Sequence, residues 1–301
     1  MTKPIEIVYV NTHAEAGDLS VRGYEPVECS FGEGSILGPL VMDHHGKQSY
    51  REGVAVRAYR DHFGARRDDP RFVVTGDADQ DATFAIAALA GVLPHPSRAP
   101  EFEKAPPHIK GAWTQDLTPL ANLVNLLDTA PIGVRLDELY FGSTLLLWDQ
   151  VCSPIRDATA FHAGVDRWRA LLARPPKALL EATKAEEVLR VKAARSASVE
   201  RVSDLVAVVE SPVFGFDVWY DEIAPIIVAY VADDGNITVG ARDTATAERL
   251  LGKGGLKNVF SRLVPAGWGG REAVGGSPRG MQMTREQAKA AAEVIAKTVV
   301  A

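Results

Sequence analysis

Cysteine is almost absent from this chain, Cys29 and Cys152 being the two instances in 301 residues. Their settings, VECSF and QVCSP, show no CxxC or other ligand spacing, which excludes a thiolate zinc cluster. Two reduced, mostly buried thiols of a cytosolic protein are expected instead. Long apolar runs are also missing. None reaches membrane-spanning length, so no membrane partner is expected. The opening MTKPIEIVYVNTHAEAGD has no basic segment followed by a long apolar one. No signal peptide is therefore evident, and a cytoplasmic location is expected. Positive charge is in deficit, with a formal net charge of -6 and a pI of about 5.7. A long nucleic-acid duplex needs a broad basic surface and is excluded on that ground. A short nucleotide held by a metal and a few arginines is not.

What is present is ordinary for a globular chain: 46% hydrophobic and 24% charged residues. The length suits one large or two medium domains with a sizeable core. IEIVYV (5–10) is continuous and β-branched, as in a strand buried on both faces. GPLVMDHH (38–45) is a second short apolar run ending in polar residues. SYREGVAVRAYRDHFG (49–64) reads as a helix ended by Gly64, and RFVVTGDADQDATFAIAALAGVL (71–93) as strand, turn and helix, ended by Gly91. Alternating strands and helices predict a parallel α/β sheet with helices on both faces. Residues 116–134 contain a helix ending near Leu127, and residues 167–198 are helical on both sides of Pro175–Pro176. The pattern then changes. Residues 204–211, 224–231 and 236–242 read as strands, 244–264 as a helix with a glycine break, and 267–280 as a glycine-rich loop. Thr284 opens a last helix, with Gln287 placed to complete a capping box. These changes set a domain boundary near residue 198, giving domains 1–198 and 199–301, the second a smaller α/β unit.

Three clusters at predicted element ends carry metal-ligand chemistry: DHH (43–45), GDADQD (76–81) and LLDT (126–129). Ligands of open parallel sheets collect beyond the strands' carboxyl ends. Carboxylate oxygen and imidazole nitrogen suit hard and borderline divalent ions. Each cluster alone has a plainer reading, as the polar end of a strand, a helix-capping turn or a turn after a helix. Asp81 in particular is placed to N-cap the helix that follows it. DADQD also opens like an EF-hand loop, but Ala82 and Ala88 stand where glycine and glutamate are required. In the second domain GWGGREAVGGSPRG brings Gly269 and Gly270 beside Arg271 and Arg279, which fits either a surface loop or an anion site.

Together these segments resemble the DHH phosphoesterase superfamily, which includes RecJ-like exonucleases, oligoribonucleases, cyclic-dinucleotide phosphodiesterases and family II pyrophosphatases. VMDHHG matches the name-giving motif, and VTGDADQDATFAIAAL is similar to the family's strand–Asp-x-Asp–helix motif. GWGGREAVGGS resembles the Gly-Gly-His loop of the DHH-associated domain, and NITVGARD its strand ending in a substrate-binding arginine. Three departures stand out. The strand before DHH usually ends in an aspartate, but here VYVNTHAEAGD offers Asn11, His13 and Asp18. The Asp-x-Asp motif follows DHH here instead of preceding it, and Arg271 occupies the histidine position.

The resemblance implies a metal-dependent phosphodiesterase or phosphatase. Its substrate is a small phosphate ester or short oligonucleotide, held in a cleft between the domains, and a homodimer is compatible with it. Two divalent ions, manganese for preference, are implied, ligated by His44, Asp79, Asp81 and Asp128, with Asp77 as an extra candidate. His13 is the expected ligand from the strand before DHH. Asp43 and His45 are the implied catalytic residues, Asp43 orienting His44 and His45 contacting substrate or leaving group. Arg242, Gly269, Gly270, Arg271 and Arg279 are the implied substrate contacts. The alternative is a non-catalytic nucleotide- or anion-binding protein with a degraded metal centre. A haloacid-dehalogenase type of phosphatase would need threonine or valine where Asp81 stands.

Overall fold

A computed structural model describes residues 3–31, 34–48, 51–96, 116–129, 156–174, 176–231, 235–278 and 281–299. Among them the chain is mixed α/β, with ten α-helices. No helix there is long and apolar enough to cross a membrane. The chain divides into two compact units, one running through Lys184 and the other from Ala185 onward.

The first unit begins with β1 (Glu6–Tyr9) and α1 (His13–Val21), whose N-terminus is capped by Thr12. β2 (Glu25–Val27) and the two-residue strands β3 (Ser30–Phe31) and β4 (Gly34–Ser35) follow, then α2 (Val54–Asp61), β5 (Arg71–Val74) and α3 (Gln80–Leu89). β1, β5 and β2 form a parallel sheet in that order, with Val73 facing Val8 on one side and Pro26 on the other. A parallel bridge between Val27 and Met42 carries the 38–45 run onto the far side of β2, in place of the full strand that its apolar residues suggest. Cys29 is buried beside β5, its thiol directed at the Val73 carbonyl and pushed up to about 12 by burial. Cys152 lies outside the described residues.

α3 is buried from Asp81 to Leu89, as expected of a helix apolar on nearly every side. Its C-terminus is closed by Gly91 at φ 65°, the left-handed position that glycine fills without strain. Its N-cap differs from the expectation. Asp79, not Asp81, accepts the N–H of Ala82 at the helix start. Two further helices, α4 (Thr118–Thr129) and α5 (Ala158–Leu172), pack on α2 and α3. The Trp168 ring meets Phe84 edge-on, with centroids 5.1 Å apart. Tyr59 of α2 is fully buried. Its hydroxyl donates to the Pro94 carbonyl (2.9 Å) and accepts from the Leu117 N–H (3.0 Å).

α6 (Pro176–Arg195) contains the division between the units, so the division precedes the expected boundary near 198. Beyond it come β6 (Ser198–Arg201), β7 (Val206–Glu210), α7 (Phe216–Glu222), β8 (Ile226–Val231), β9 (Asn236–Ala241), α8 (Thr244–Leu251) and α9 (Lys257–Phe260). The unit closes with β10 (Gly269–Gly270), β11 (Val274–Gly276) and α10 (Arg285–Thr298). Its sheet has six strands in the order β10-β11-β9-β8-β7-β6, antiparallel throughout except between β7 and β8. Alternate residues of β7 serve opposite faces: Val206 and Val208 join the cluster of Ala288, Ala292 and Ile295, while Ala207 and Val209 join that of Trp219 and Tyr220. Burial on both faces explains the continuous apolar run at 205–209. The glycine-rich segment expected to be a loop forms the hairpin of β10 and β11. Its glycines permit the close approach: a Cβ on Gly275 would lie 2.2 Å from the Phe260 ring. The capping box of Thr284 and Gln287 forms in full.

Tyr59→Phe leaves one buried carbonyl and one buried N–H without their partner. It should lower unfolding stability by about 1–3 kcal/mol, measured by chemical denaturation. A change within error would show that water replaces the hydroxyl there.

Candidate metal centre

Each residue of the centre follows a carboxyl end of the parallel sheet or closes a helix beside it. Glu28 comes directly after β2. Asp43 and His44 come directly after the bridged residue Met42, whose carbonyl accepts the Glu28 N–H at 2.8 Å. Asp79 and Asp81 follow β5 into α3, and Asp128 sits in the last turn of α4. Residues spread over a hundred positions thus meet at one sheet edge, the place where open α/β sheets hold ligands.

His44 is their meeting point. Its Nε2 lies 2.9 Å from Glu28 Oε1, 3.3 Å from Asp128 Oδ2 and 3.4 Å from Asp81 Oδ2. Two overlapping triads have ligand atoms all within 4.8 Å of one another: Glu28, His44 and His45, and His44, Asp81 and Asp128. Glu28, His44 and Asp81 are buried, while Asp128 opens to solvent. The Glu28–His44 approach is close without the direction of a hydrogen bond, so Glu28 Oε1 is buried with no hydrogen bond. Such an oxygen carries a desolvation cost that a cation would remove.

The supporting shell is built from backbone. Asp81 accepts the N–H groups of Val54 (2.8 Å) and Ala55 (2.8 Å), so it caps α2 from α3. Asn125 Oδ1 accepts the neighbouring Gly53 N–H at 2.6 Å. A Cβ at Gly53 would stand 2.9 Å from Asp81 Oδ1 and 3.0 Å from Asn125 Oδ1, which accounts for glycine at this position. Asp79 is held from behind. Thr83 Oγ1 donates to the Asp79 carbonyl (2.5 Å) and accepts from Trp168 Nε1 (3.1 Å).

Burial and crowding set the charges. Desolvation, then the negative charges of Asp79, Asp81, Asp128 and Asp43, push the Glu28 carboxyl well above the usual range. Burial, then Asp79 and Asp128, raise Asp81 to about 7, against the lowering effect of the α2 N–H groups. Asp79 is exposed at the surface, yet desolvation by the protein around it and the Asp128 charge raise it to about 6, against the lowering Ala82 N–H. Asp43 behaves oppositely. Burial would raise its carboxyl, but hydrogen bonds from His45 and Ser35 outweigh that and hold it low. The same contact, Asp43 Oδ1 with His45 Nδ1 at 3.0 Å, raises the His45 imidazole, burial opposing.

Of the residues singled out in the sequence, His44, Asp81 and Asp128 converge, with His45 adjoining them. Asp43 is directed at His45, where the expectation had it orienting His44. Asp77 is exposed and paired with Arg156, at 2.7 Å from Asp77 Oδ1 to Arg156 Nε. His13 is exposed at the start of α1, its ring edge-on to Phe31, and belongs to neither triad. In the second unit Arg242 donates to the Tyr220 carbonyl and pairs with Asp221 at 3.3 Å. Gly269 and Gly270 form β10, and Arg271 is exposed just beyond it, its N–H on the Val274 carbonyl. Arg279 lies outside the described residues. Glu28 escaped sequence reading because EPV, three residues long, is too short to register as a strand. The signal was an acid directly after an apolar pair. The chain matches no protein-family model, and no curated protein or solved structure is significantly similar to it.

The charges predict a pH dependence. Glu28, Asp79 and Asp81 have folded values above the unfolded ones, near 3.8 for aspartate. Their stabilisation is complete below the unfolded value and is lost as pH rises through the folded one. The raised His45 acts in the same direction. Asp43, held low, is ionised throughout this window and loses its stabilisation only at more acid pH. Chelator-treated protein should therefore melt lower at pH 7.5 than at pH 5.5. Added Mn2+ should narrow or reverse the difference, because ligation favours the ionised carboxylates. Melting temperatures that rise with pH in chelator would contradict the charge assignment.

Proposed function

We propose that this chain is a metal-dependent phosphoesterase of the DHH type, acting on a small phosphate ester or short nucleotide. The observation that carries the reading is the convergence of Glu28, His44, Asp81 and Asp128 around one buried imidazole nitrogen. Their oxygen and nitrogen donors suit manganese, and their mutual repulsion makes the site costly without a cation. His44, Glu28, Asp81 and Asp128 would hold the metal, with Asp79 completing a site for two ions. A divalent ion bound there supplies Lewis acidity and acidifies water.

The chain's own groups do the rest. Asp43 fixes the His45 ring through Nδ1 and favours the imidazolium. The side chain of His45 is 39% exposed, so the imidazolium meets solvent beside the acidic cluster. It binds a phosphate oxygen through Nε2–H and delivers that proton to the leaving group. Asp81 and Asp79 are immobilised by helix starts, so the ligand set is largely in place before substrate arrives. Arg242 and Arg271 are the proposed substrate-phosphate contacts of the second unit.

Asp128→Asn and Asp79→Asn should each cut Mn2+-dependent hydrolysis of a chromogenic phosphodiester by roughly a hundredfold or more. Asparagine keeps the capping oxygen at position 79, so melting temperatures should change little. His45→Gln should lower kcat by about a hundredfold and remove one limb of the pH–rate profile. Undiminished turnover in both aspartate variants would overturn the proposal. A wild-type protein that binds Mn2+ and nucleotide but turns over no phosphoester would be a binding protein instead.

A further inference from the structure

Resting on the metal-centre reading, the geometry points to Arg57 as a positioning residue that sets metal affinity by holding the DHH turn in a strained conformation. Arg57 belongs to α2 and is 8% exposed. Its guanidinium spends three donors on backbone carbonyls: Nη1 to Val41 (2.6 Å), Nη2 to Asp43 (2.9 Å) and Nε to Glu52 (3.0 Å). Two of these carbonyls bracket Met42, immediately before His44. The third begins the approach to the α2 N-terminus that Asp81 caps. One planar fork therefore ties the strand end carrying His44 to the helix start that fixes Asp81.

The turn needs such a tie. Val41 has φ 54°, a left-handed conformation that a β-branched residue adopts only under constraint. Its carbonyl accepts both Arg57 and the Asp43 N–H (3.0 Å). Glu28, whose N–H donates to the Met42 carbonyl, is also left-handed at φ 53°. The two ligand-bearing segments flanking the Val27–Met42 bridge are thus both strained. Relaxation at Val41 would rotate the peptide planes that lead to His44, and a buried guanidinium with three fixed acceptors opposes that rotation. Lysine keeps the charge but has no planar fork, so it cannot serve three divergent carbonyls in the same way.

The test compares Mn2+ binding by titration calorimetry to full-length, chelator-stripped wild type, Arg57→Lys, Tyr59→Phe and the double variant Val41→Gly/Arg57→Lys. Arg57→Lys should weaken Mn2+ binding about 10–100-fold, the range typical of residues that orient metal ligands. Tyr59→Phe destabilises the same helix away from the turn, and its affinity should stay within about threefold of wild type. Glycine at position 41 removes the strain, so the double variant should regain much of the lost affinity. Equal binding by Arg57→Lys and wild type would overturn the assignment, as would an equal loss in Tyr59→Phe or no recovery in the double variant. Absence of Mn2+ binding by wild type would instead overturn the metal centre itself.

Discussion

The Asp81 carboxylate spans two helices. It leaves the first turn of α3, accepts two backbone N–H groups at the start of α2, and lies beside His44. The positive end of α2 is what allows a dehydrated negative charge to sit there. Much of the first unit follows from this contact. A third donor of the α2 start, the Gly53 N–H, goes to Asn125, which brings α4 and with it Asp128 alongside. Gly53 is required by the same closeness. A carboxylate that caps one helix while crowded by other acids is a compromise. The N–H groups of the helix start lower its charge cost, but burial first, and then the neighbouring acids, raise it and prevail.

The second unit shows the contrasting economy of an apolar fold. Its central strands are covered on both faces, and its polar features are confined to edges and caps. Arg190 is clamped between Glu187 and Asp217, and Glu200 between Arg285 and Lys289. Arg242 is likewise engaged within its own unit, by Asp221 and the Tyr220 carbonyl.

Much of this architecture was legible in the sequence. The three central strands of the second unit, the helices on either side of Pro175–Pro176 and the capping box at Thr284 follow from apolar periodicity and local chemistry, which act over a few residues. The acidic motif after β5 was legible for the same reason. Glu28 was not, because its importance comes from pairing with a segment fourteen residues on. The cap of α2 by Asp81 was missed because it is a contact between helices, whereas a capping rule looks along one chain. The hairpin at 269–276 was read as a loop because its glycines signal flexibility locally, while their function is to let Phe260 and a neighbouring strand approach.

Asp128 has one consequence that concerns the ribosome rather than the finished molecule. The centre's residues emerge in the order 28, 44, 81, 128, so the cluster stays incomplete until α4 has been synthesised and docked. Domains fold as their segments become available, and a nascent chain that ends before α4 therefore exposes acidic groups but lacks the full set proposed to hold a cation. A product truncated before α4 would thus keep Glu28, His44 and Asp81 crowded together without their fourth neighbour.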